Sequence, residues 1–187
     1  MCVIVVKPKD QNFSDEDFVK CWNRNGHGLG YAFIQGDEIK HEKGLMVLKK
    51  ALKKTKTIRK KGVDAVFHFR IQSRGGVSAE LTHPFSFSQE DNQRLLFHNG
   101  TVSQIRSGKT SDSAVLAQTL LAPLKTESVY TILEKLKPSR FVTVVKEDGK
   151  APEIRVFGGD GSGKVGGLWY SNFMHFTHKG SMLQYGD

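Results

Sequence analysis

The cysteine at the second position of the chain, Cys2, is the residue best suited to nucleophilic chemistry. If Met1 is removed, Cys2 carries both a thiol and a free α-amino group. A thiol, with an ordinary pKa of ~8.5, beside an amine, with an ordinary pKa of ~7.7–8.0, is a nucleophile with its own general base. A penultimate cysteine is also a usual early residue of a strand, so this hypothesis depends on the groups that the rest of the chain supplies.

Three other polar clusters could bind an amide and its charged ends. In a strand, His68 and Arg70 share one face, and the planar guanidinium of Arg70 suits a carboxylate. The side-chain amide of Asn99 and the backbone N–H of Gly100 form a pair of donors for an oxyanion. Asp112, at the predicted start of a helix, could hold an ammonium group. Each cluster also has a structural interpretation, as an internal ion pair, an Asn-Gly turn or a first-turn acid.

Six short motifs, each unspecific alone, occur in one order along the chain. They are Met1-Cys2, Asn23-x-x-Gly26-x-Gly28-x-Gly30, His68-x-Arg70-x-x-Ser73, Thr82-His83-Pro84, His98-Asn99-Gly100 and Ser111-Asp112-Ser113. Their order and approximate spacing resemble the class II glutamine amidotransferase domain, a family of the N-terminal nucleophile hydrolases. The resemblance covers roughly residues 2–125, and a weaker match lies in Trp169-Tyr170-Ser171-Asn172.

The resemblance implies a glutaminase mechanism that uses neither a cofactor nor a metal. Cys2 would attack the side-chain amide carbon of glutamine, while its α-amino group accepts the thiol proton and returns it. Asn99 and Gly100 would hold the oxyanion, ammonia would leave, and water would hydrolyse the thioester to glutamate. The substrate-binding positions would be Arg70 for the α-carboxylate, Asp112 for the α-ammonium, and Ser73, Thr82 and His83 for the rest of the pocket.

The residues that follow Cys2 and Arg70 depart from the family pattern. Val3 stands where many members have Gly. Ile71-Gln72 stand where an aromatic and a small residue are usual. These differences concern the shape of the pocket and its selectivity for glutamine more than they concern the nucleophile.

The length of 187 residues predicts one soluble domain, residues 1–187. The resemblance implies an α+β fold, a four-layer αββα sandwich of the N-terminal nucleophile hydrolase type, with two antiparallel sheets between helical layers. Hydrophobic periodicity and capping residues predict the elements that position the motifs. Strands are predicted at 3–6, 31–34, 63–69, 95–97, 141–146 and 154–157, helices at 14–21, 45–55, 114–121 and 126–136, and a long loop at 73–93.

The sequence also argues against several classes of protein. No apolar stretch approaches the ~20 residues of a membrane span, and the first residues lack the layout of a signal peptide. Cys2 and Cys21 do not make a disulfide framework and no His/Cys spacing indicates a metal site, so a cytoplasmic protein is expected. Residues 158–164 have the glycine and lysine spacing of a phosphate-binding loop. Val165 replaces the required Ser or Thr and no helix start follows, so a flexible loop between strands is predicted at 158–164 and not a nucleotide site.

Basic charge is concentrated in one stretch of the chain. Of the 28 Lys and Arg residues, eight lie between Lys49 and Lys61 without an acid among them, which leaves 20 basic against 19 acidic residues elsewhere. Leu45, Leu48 and Leu52 recur at helical spacing, so this stretch predicts an amphipathic basic helix. Its charged face could be solvated, or it could bind an acidic partner protein. Nucleic acid is less favoured, because no aromatic residues interleave the lysines.

Three hypotheses for function follow from the sequence. The first is a glutaminase that delivers ammonia to a separate synthetase partner, since no synthetase domain is expected within residues 1–187. The second is an N-terminal-cysteine amidohydrolase acting on another amide. The third is a catalytically silent domain that binds or regulates through the basic helix, residues 49–61. The joint presence of Cys2, Arg70, Asn99 and Asp112 favours the first hypothesis over the third, because a silent domain has no reason to keep all four.

Overall fold

The structure, a computed structural model, describes residues 1–72, 76–88, 94–105, 110–159 and 161–176. Its strands are β1 (Val3–Lys7), β2 (Leu29–Gln35), β3 (Glu38–Leu45), β4 (Ala65–Phe69), β5 (Phe85–Ser86), β6 (Arg94–Asn99), β7 (Arg140–Val145), β8 (Glu153–Phe157), β9 (Gly163–Val165) and β10 (Leu168–Tyr170). Its α-helices are α1 (Asp15–Arg24), α2 (Leu48–Thr55), α3 (Asp112–Val115) and α4 (Thr126–Lys135). A π-helical segment, Leu116–Leu121, continues α3. None of the helices within the described ranges is long and apolar enough to cross a membrane.

Two antiparallel sheets contain these strands. Sheet A has the strand order β3-β2-β4-β1-β10-β9, and sheet B has the order β5-β6-β7-β8. All neighbouring strands in both sheets run antiparallel. Strand β1 lies inside sheet A, between β4 and β10. Cys2, which directly precedes β1, is therefore held by a strand that is hydrogen-bonded on both sides.

The sheets pack face to face, and helices cover their outer faces. One apolar core joins Val3 and Val5 of β1 to α1 and α2. A second core lies between the sheets, where Ile4 of β1 is clustered with Phe97 of β6 and Val142 of β7. A third joins sheet B to α3, the π-helical segment and α4. Alternate residues of β1 thus face opposite layers, as the two-residue period of a strand requires. The predicted α+β class with two antiparallel sheets is confirmed.

Helix α1 begins where the sequence predicts. The Ser14 hydroxyl caps it by accepting the backbone N–H of Asp17 at 3.0 Å, and three acids occupy the first turn. Acids are favourable there because the N-terminus of a helix carries partial positive charge. The helix ends at Arg24, three residues beyond the predicted end at residue 21, because its buried face continues through Cys21 and Trp22.

The helix predicted at 45–55 is shorter than expected. Leu45 belongs to β3, where it pairs with Leu29 of β2, and the helix begins at Leu48. Leu45 lies three residues before Leu48, at helical spacing, and the charged sequence before it lacks the apolar alternation of a strand. The helix ends at Thr55, as the prediction at 45–55 has it, so the basic stretch at 49–61 is helical only as far as this residue. Residues 56–61 form turns and a bend instead.

Other boundaries differ where elements are short or exposed. Strand β3 is charged and largely exposed, so it lacks the apolar alternation that predicts a strand. The loop predicted at 158–164 is wrong at its end, because Gly163 and Lys164 belong to β9, which forms a hairpin with β10. The loop predicted at 73–93 contains β5, and parts of it lie outside the described residues. The helix predicted at 114–121 begins earlier, at Asp112, and becomes π-helical after Val115.

A buried cation fixes the far end of β1. The Lys7 side chain is fully buried. Its Nζ donates to the backbone carbonyls of Pro8 (3.2 Å), Gln11 (3.2 Å), Lys60 (2.9 Å) and Val63 (2.7 Å). Burial lowers the pKa of Lys7, while nearby carboxylates oppose that shift. The ammonium group therefore ties β1 to the loop that follows it and to the turns that precede β4.

We expect Lys7→Met to lower the free energy of unfolding by about 2 kcal/mol, because buried carbonyls lose a charged donor. Lys9→Met removes an exposed ammonium two residues further on and should change that free energy by less than about 0.5 kcal/mol. Urea denaturation of both variants measures the difference. If Lys7→Met is as stable as the unchanged chain, Lys7 is not an anchor of β1.

Candidate active site

The pairing of β1 with β4 makes Cys2 and Arg70 neighbours. The two strands pair antiparallel with Val3 opposite Phe69, so the next residues outward are Cys2 and Arg70. Strand alternation directs both side chains to the same side as Ile4, which faces sheet B. The positive charge of Arg70 lowers the pKa of the Cys2 thiol, although burial outweighs this effect. The nucleophile and the cation predicted from the sequence therefore share one space at the edge of the two sheets.

The thiol of Cys2 lies against the peptide group of Ile71. The Ile71 N–H donates to Sγ at 3.4 Å, and Sγ donates to the Ile71 carbonyl at 3.5 Å. Burial raises the pKa of the Cys2 thiol, and the Ile71 hydrogen bond, the N-terminal ammonium of Met1 and Arg70 oppose that shift only in part. The resting thiol is therefore mostly neutral near pH 7. It needs a base before it can act as a nucleophile.

The guanidinium of Arg70 is buried and held in place. The residue is only 5% exposed, and its Nη2 donates to the carbonyl of Gly76 at 2.7 Å. Its backbone N–H donates to the carbonyl of Gly28, and its carbonyl accepts from His27, both at 2.9 Å. The glycine-rich loop before β2 thus packs on the segment that carries Arg70. A cation fixed in this way can bind a carboxylate without losing side-chain freedom.

Asn99 reaches the strand of Cys2 through a single hydroxyl group. Asn99 ends β6 on the face shared with Phe97, which points toward sheet A. Its Nδ2 donates to Ser171 Oγ at 2.8 Å, and the same Oγ accepts the backbone N–H of Ile4 at 2.8 Å. The backbone N–H of Ser171 donates to the Ile4 carbonyl at 3.0 Å. The amide of Asn99 is therefore attached to β1 two residues beyond Cys2.

The Asn99 amide keeps hydrogen-bonding capacity that these contacts do not use. One Nδ2 hydrogen is engaged by Ser171, and the second remains for another acceptor. Its Oδ1 is buried and has no hydrogen-bond partner among the described residues. Unpaired polar atoms are costly in a protein interior, so such an atom is a common feature of sites that bind a ligand or water. Of this spare capacity, the second Nδ2 hydrogen fits an oxyanion donor, whereas Oδ1 can only accept.

Position 100 requires a glycine both because of its backbone conformation and because neighbouring atoms leave no room for a side chain. Its φ of +151° lies in the region that favours glycine, and a Cβ there would come within 2.4 Å of Ser139 Oγ. The close approach holds the peptide after Asn99 against the start of β7. A backbone N–H can therefore sit beside the Asn99 amide without a side chain in between. The role of Asn99 and Gly100 as a pair of oxyanion donors stays a prediction.

Asp112 fixes the loop that follows these donors. Its Oδ2 accepts the N–H of Val102 at 2.8 Å, and its Oδ1 accepts the N–H of Ser113 at 2.8 Å. The helix cap itself is Ser111, whose hydroxyl accepts from Ser113. Oδ1 also accepts the Ser113 hydroxyl at 3.4 Å, so the spare lone pair of the carboxylate is on Oδ2. Asp112 thus has a structural role in the loop after β6, and its predicted contact with a substrate ammonium stays a prediction.

Thr82 and His83 pack against β3 and β2, respectively. The buried Thr82 hydroxyl accepts the N–H of Gly44 and donates to the carbonyl of Ala79, both at 2.7 Å. The His83 carbonyl lies against Gly30, where an added Cβ would fall only 1.6 Å from its oxygen. With the Thr82 hydroxyl already engaged, a substrate contact from this pair would come through the backbone. The third predicted wall residue, Ser73, lies outside the described residues.

Three buried histidines brace the sheets and are not positioned as bases. The Nε2 of His68 on β4 lies 3.0 Å from the carbonyl of His98 on β6, which bridges the two sheets. Burial lowers the pKa of His68 to about 3 and that of His98 to about 4, and Asp112 opposes the second shift. His83 stacks on His68 at 4.0 Å between ring centroids, and burial also lowers its pKa. All three are therefore neutral near pH 7.

Two residues that the sequence analysis gave no role complete the site. Ser171 links Asn99 to Ile4, and the Nδ2 of Asn172 donates to the Cys2 carbonyl at 2.6 Å. Both belong to the weak late motif at residues 169–172, which was the available signal. Their function depends on the pairing of β10 with β1, which joins residues far apart in the chain.

The described residues contain no cluster of three or more His, Cys, Asp or Glu side chains that could hold a metal ion. Neither a protein-family model nor a curated protein sequence matches the chain. The function must therefore be argued from the chemistry of the residues around Cys2.

We expect Asn99→Ala and Ser171→Ala to be strongly non-additive. Each change leaves a buried polar group unpaired and should lower the free energy of unfolding by about 1–3 kcal/mol. The double variant should lose less than the sum by at least about 0.5 kcal/mol, because both changes remove the same hydrogen bond. Urea denaturation of the four proteins gives the coupling.

The matched control for this coupling is Asn99→Ala combined with Thr55→Ala. Thr55 makes its own buried hydrogen bond within α2, to the carbonyl of Ala51 at 2.8 Å, in the layer behind sheet A. This pair should be additive within about 0.5 kcal/mol. Additivity of the Asn99 and Ser171 changes would mean that Ser171 does not position Asn99.

Proposed function

We propose that this chain hydrolyses the side-chain amide of glutamine through a thioester on Cys2 and passes the ammonia to a separate synthetase. In this proposal it is a class II glutamine amidotransferase domain, and its sandwich is of the N-terminal nucleophile hydrolase type. One observation carries the proposal. Cys2 is adjacent to Arg70 on the neighbouring strand, and the same strand is hydrogen-bonded through Ser171 to the amide of Asn99.

The first half of the reaction forms the thioester. The α-amine of Cys2 accepts the thiol proton, and Sγ attacks the side-chain amide carbon of glutamine. The carbonyl oxygen becomes an oxyanion, which accepts from Asn99 Nδ2 and the Gly100 N–H. When the tetrahedral intermediate collapses, the carbon–nitrogen bond breaks and the amine returns its proton to the leaving group. The raised pKa of the Cys2 thiol supports the need for this base.

The second half releases glutamate. A water molecule attacks the thioester carbon and gives a proton to the α-amine, and the same donors hold the second oxyanion. The carbon–sulfur bond then breaks, and the thiol regains its proton from the amine. Electrostatic donors of this kind typically contribute a factor of about 10²–10³ in rate each. The oxyanion pair is therefore as important to the proposal as the nucleophile.

Two charges of opposite sign select an amino acid as substrate. The buried Arg70 guanidinium binds the α-carboxylate, and the Asp112 carboxylate binds the α-ammonium. A zwitterion brings an oppositely charged group to both side chains, whereas a simple amide brings one to neither. Charge-assisted contacts at both ends therefore favour an amino acid over an amide without these groups.

Removal of Met1 is a requirement of this mechanism. While Met1 is present, the nitrogen of Cys2 is part of a peptide bond and cannot accept a proton. Met1 is 60% exposed, so its removal opens no packed core. Asn172 continues to hold the Cys2 carbonyl after that cleavage. The strand is therefore fixed independently of the residue that is lost.

The test compares two forms of the same protein. An N-terminal fusion is cleaved either directly before Cys2 or directly before Met1, which gives chains that differ by one residue. We expect glutamate release from glutamine only by the form that begins with Cys2, because only this form has the free α-amine. Cys2→Ala in that form should abolish release. Coupled measurement of glutamate and ammonia checks both products.

Two outcomes of this comparison contradict the proposal. Equal turnover by both forms would exclude the α-amine as base. Turnover of another amide by the Cys2 form, without turnover of glutamine, would replace the glutaminase by an N-terminal-cysteine amidohydrolase of different specificity.

A further inference from the structure

A groove opens at the end of sheet A where Cys2 lies, on the outer face that packs against α2 and opposite to the face from which the Cys2 thiol projects. The strand pairing aligns Leu45 of β3, Leu29 of β2, Phe69 of β4 and Val3 of β1 in one row. With neighbouring strands ~4.8 Å apart, Leu45 is about 14 Å from the start of β1. The groove has a volume of about 840 Å³ and is lined by Glu42, Gly44, Leu45, Met46, Val47, Lys50, Lys53 and Lys54.

The groove is positively charged on its helical wall. Lys50, Lys53 and Lys54 of α2 are exposed, and Lys54 forms an ion pair with Glu42 at 3.4 Å. Glu42 is the only acid among the lining residues. Helix α2 has no side-chain cap and no acid in its first turn, so its N-terminal partial positive charge adds to that of the lysines. An anionic occupant is therefore favoured.

The floor of the groove is aliphatic. It consists of Leu45, Met46 and Val47, and Val47 is 50% exposed. No aromatic residue lines the groove, so bases have no ring on which to stack. Apolar protein side chains fit such a floor better than nucleotides do. A partner that is complementary to basic walls and an aliphatic floor is an acidic amphipathic segment of a protein.

Direct contacts connect this groove to the proposed amide pocket. Met46 packs against Gly28, where an added Cβ would lie 2.8 Å from the Met46 sulfur. The Gly28 carbonyl accepts the backbone N–H of Arg70 at 2.9 Å. A segment bound in the groove would touch Met46, which packs on Gly28. Gly28 is hydrogen-bonded to Arg70, the residue proposed to bind the α-carboxylate.

We propose that this groove docks an acidic amphipathic segment of the enzyme that consumes the ammonia. The identity of that partner rests on the proposed function, whereas the chemistry of the groove does not. Ammonia that escapes into neutral water is protonated and loses its nucleophilic electron pair. An acceptor enzyme must therefore bind close to Cys2, and the groove offers a charged docking surface at that end of the sheet.

The test measures binding of a fluorescent helical peptide of about 18 residues, or five turns, with leucines at every third and fourth position between glutamates. Lys50→Glu with Lys53→Glu should weaken binding about tenfold, because each change replaces an attractive charge on the groove wall by a repulsive one. Lys60→Glu with Lys61→Glu is the matched control, because it reverses two exposed lysines of the same basic stretch outside the groove. It should weaken binding less than about twofold.

A second variant keeps the test valid if the lysine changes disturb the fold. Val47→Asp supplies the missing cap of α2, so it should fold, yet it adds a negative charge to the groove floor and should also weaken binding. Cys2→Ala should bind the peptide unchanged, because docking does not require catalysis. If the chain that begins with Cys2 does not turn over glutamine but Cys2→Ala still binds the peptide, the proposed function is wrong and the docking site stands.

Three results would overturn the docking proposal. The first is no binding of the acidic peptide to the unchanged chain. The second is an equal loss of binding in the groove and control pairs, which would reflect the general charge of the surface. The third is tighter binding of a DNA duplex than of the peptide, lost in the groove variants, which would make the groove a nucleic-acid surface.

Discussion

The hydroxyl group of Ser171 is the contact on which the arrangement of the site depends. It accepts one hydrogen bond from the backbone of Ile4 in sheet A and one from the side chain of Asn99 in sheet B. All three residues are fully buried, so neither donor can turn to water if this acceptor is lost. The distance between the strand of Cys2 and the amide of Asn99 is therefore set by a single shared oxygen atom. Nucleophilic catalysis needs this accuracy, because a small displacement of an oxyanion donor costs a large part of its effect.

The sequence predicts the chemistry of the individual residues better than it predicts where they lie in the fold. Cys2, Arg70 and Asn99 were identified by type, and strand register then makes Cys2 and Arg70 neighbours. The apolar runs of β1, β4, β6 and β7 predict strands because they are buried on both faces. Ser171 and Asn172 carry no such signal, since their roles follow from the pairing of a three-residue strand with the other end of the chain. The spacing of Leu45 from Leu48 predicts a helix, but its pairing with Leu29 places it in β3 instead.

The same strand register joins the interior of the site to the surface. Leu45 and Val3 lie in one row across sheet A, so the end of the sheet that carries Cys2 also carries the start of α2 and its lysines. The basic stretch at 49–61 is divided between α2 and the turns at 56–61. Only the helical part lines the groove beside Met46, so the two parts of the stretch have different surroundings. Charge counted along the sequence could not make this distinction, because it depends on where the helix ends.

The most direct measurement of the central claim is a crystal structure of the chain that begins with Cys2 after reaction with a diazoketone analogue of glutamine. The account predicts one covalent bond, to Cys2 Sγ. It also predicts that the ligand carbonyl oxygen accepts from Asn99 Nδ2 and the Gly100 N–H, while the α-carboxylate contacts Arg70. A chain in which Cys2 stays unmodified, or an adduct whose oxygen points away from Asn99 and whose carboxylate does not contact Arg70, would contradict it.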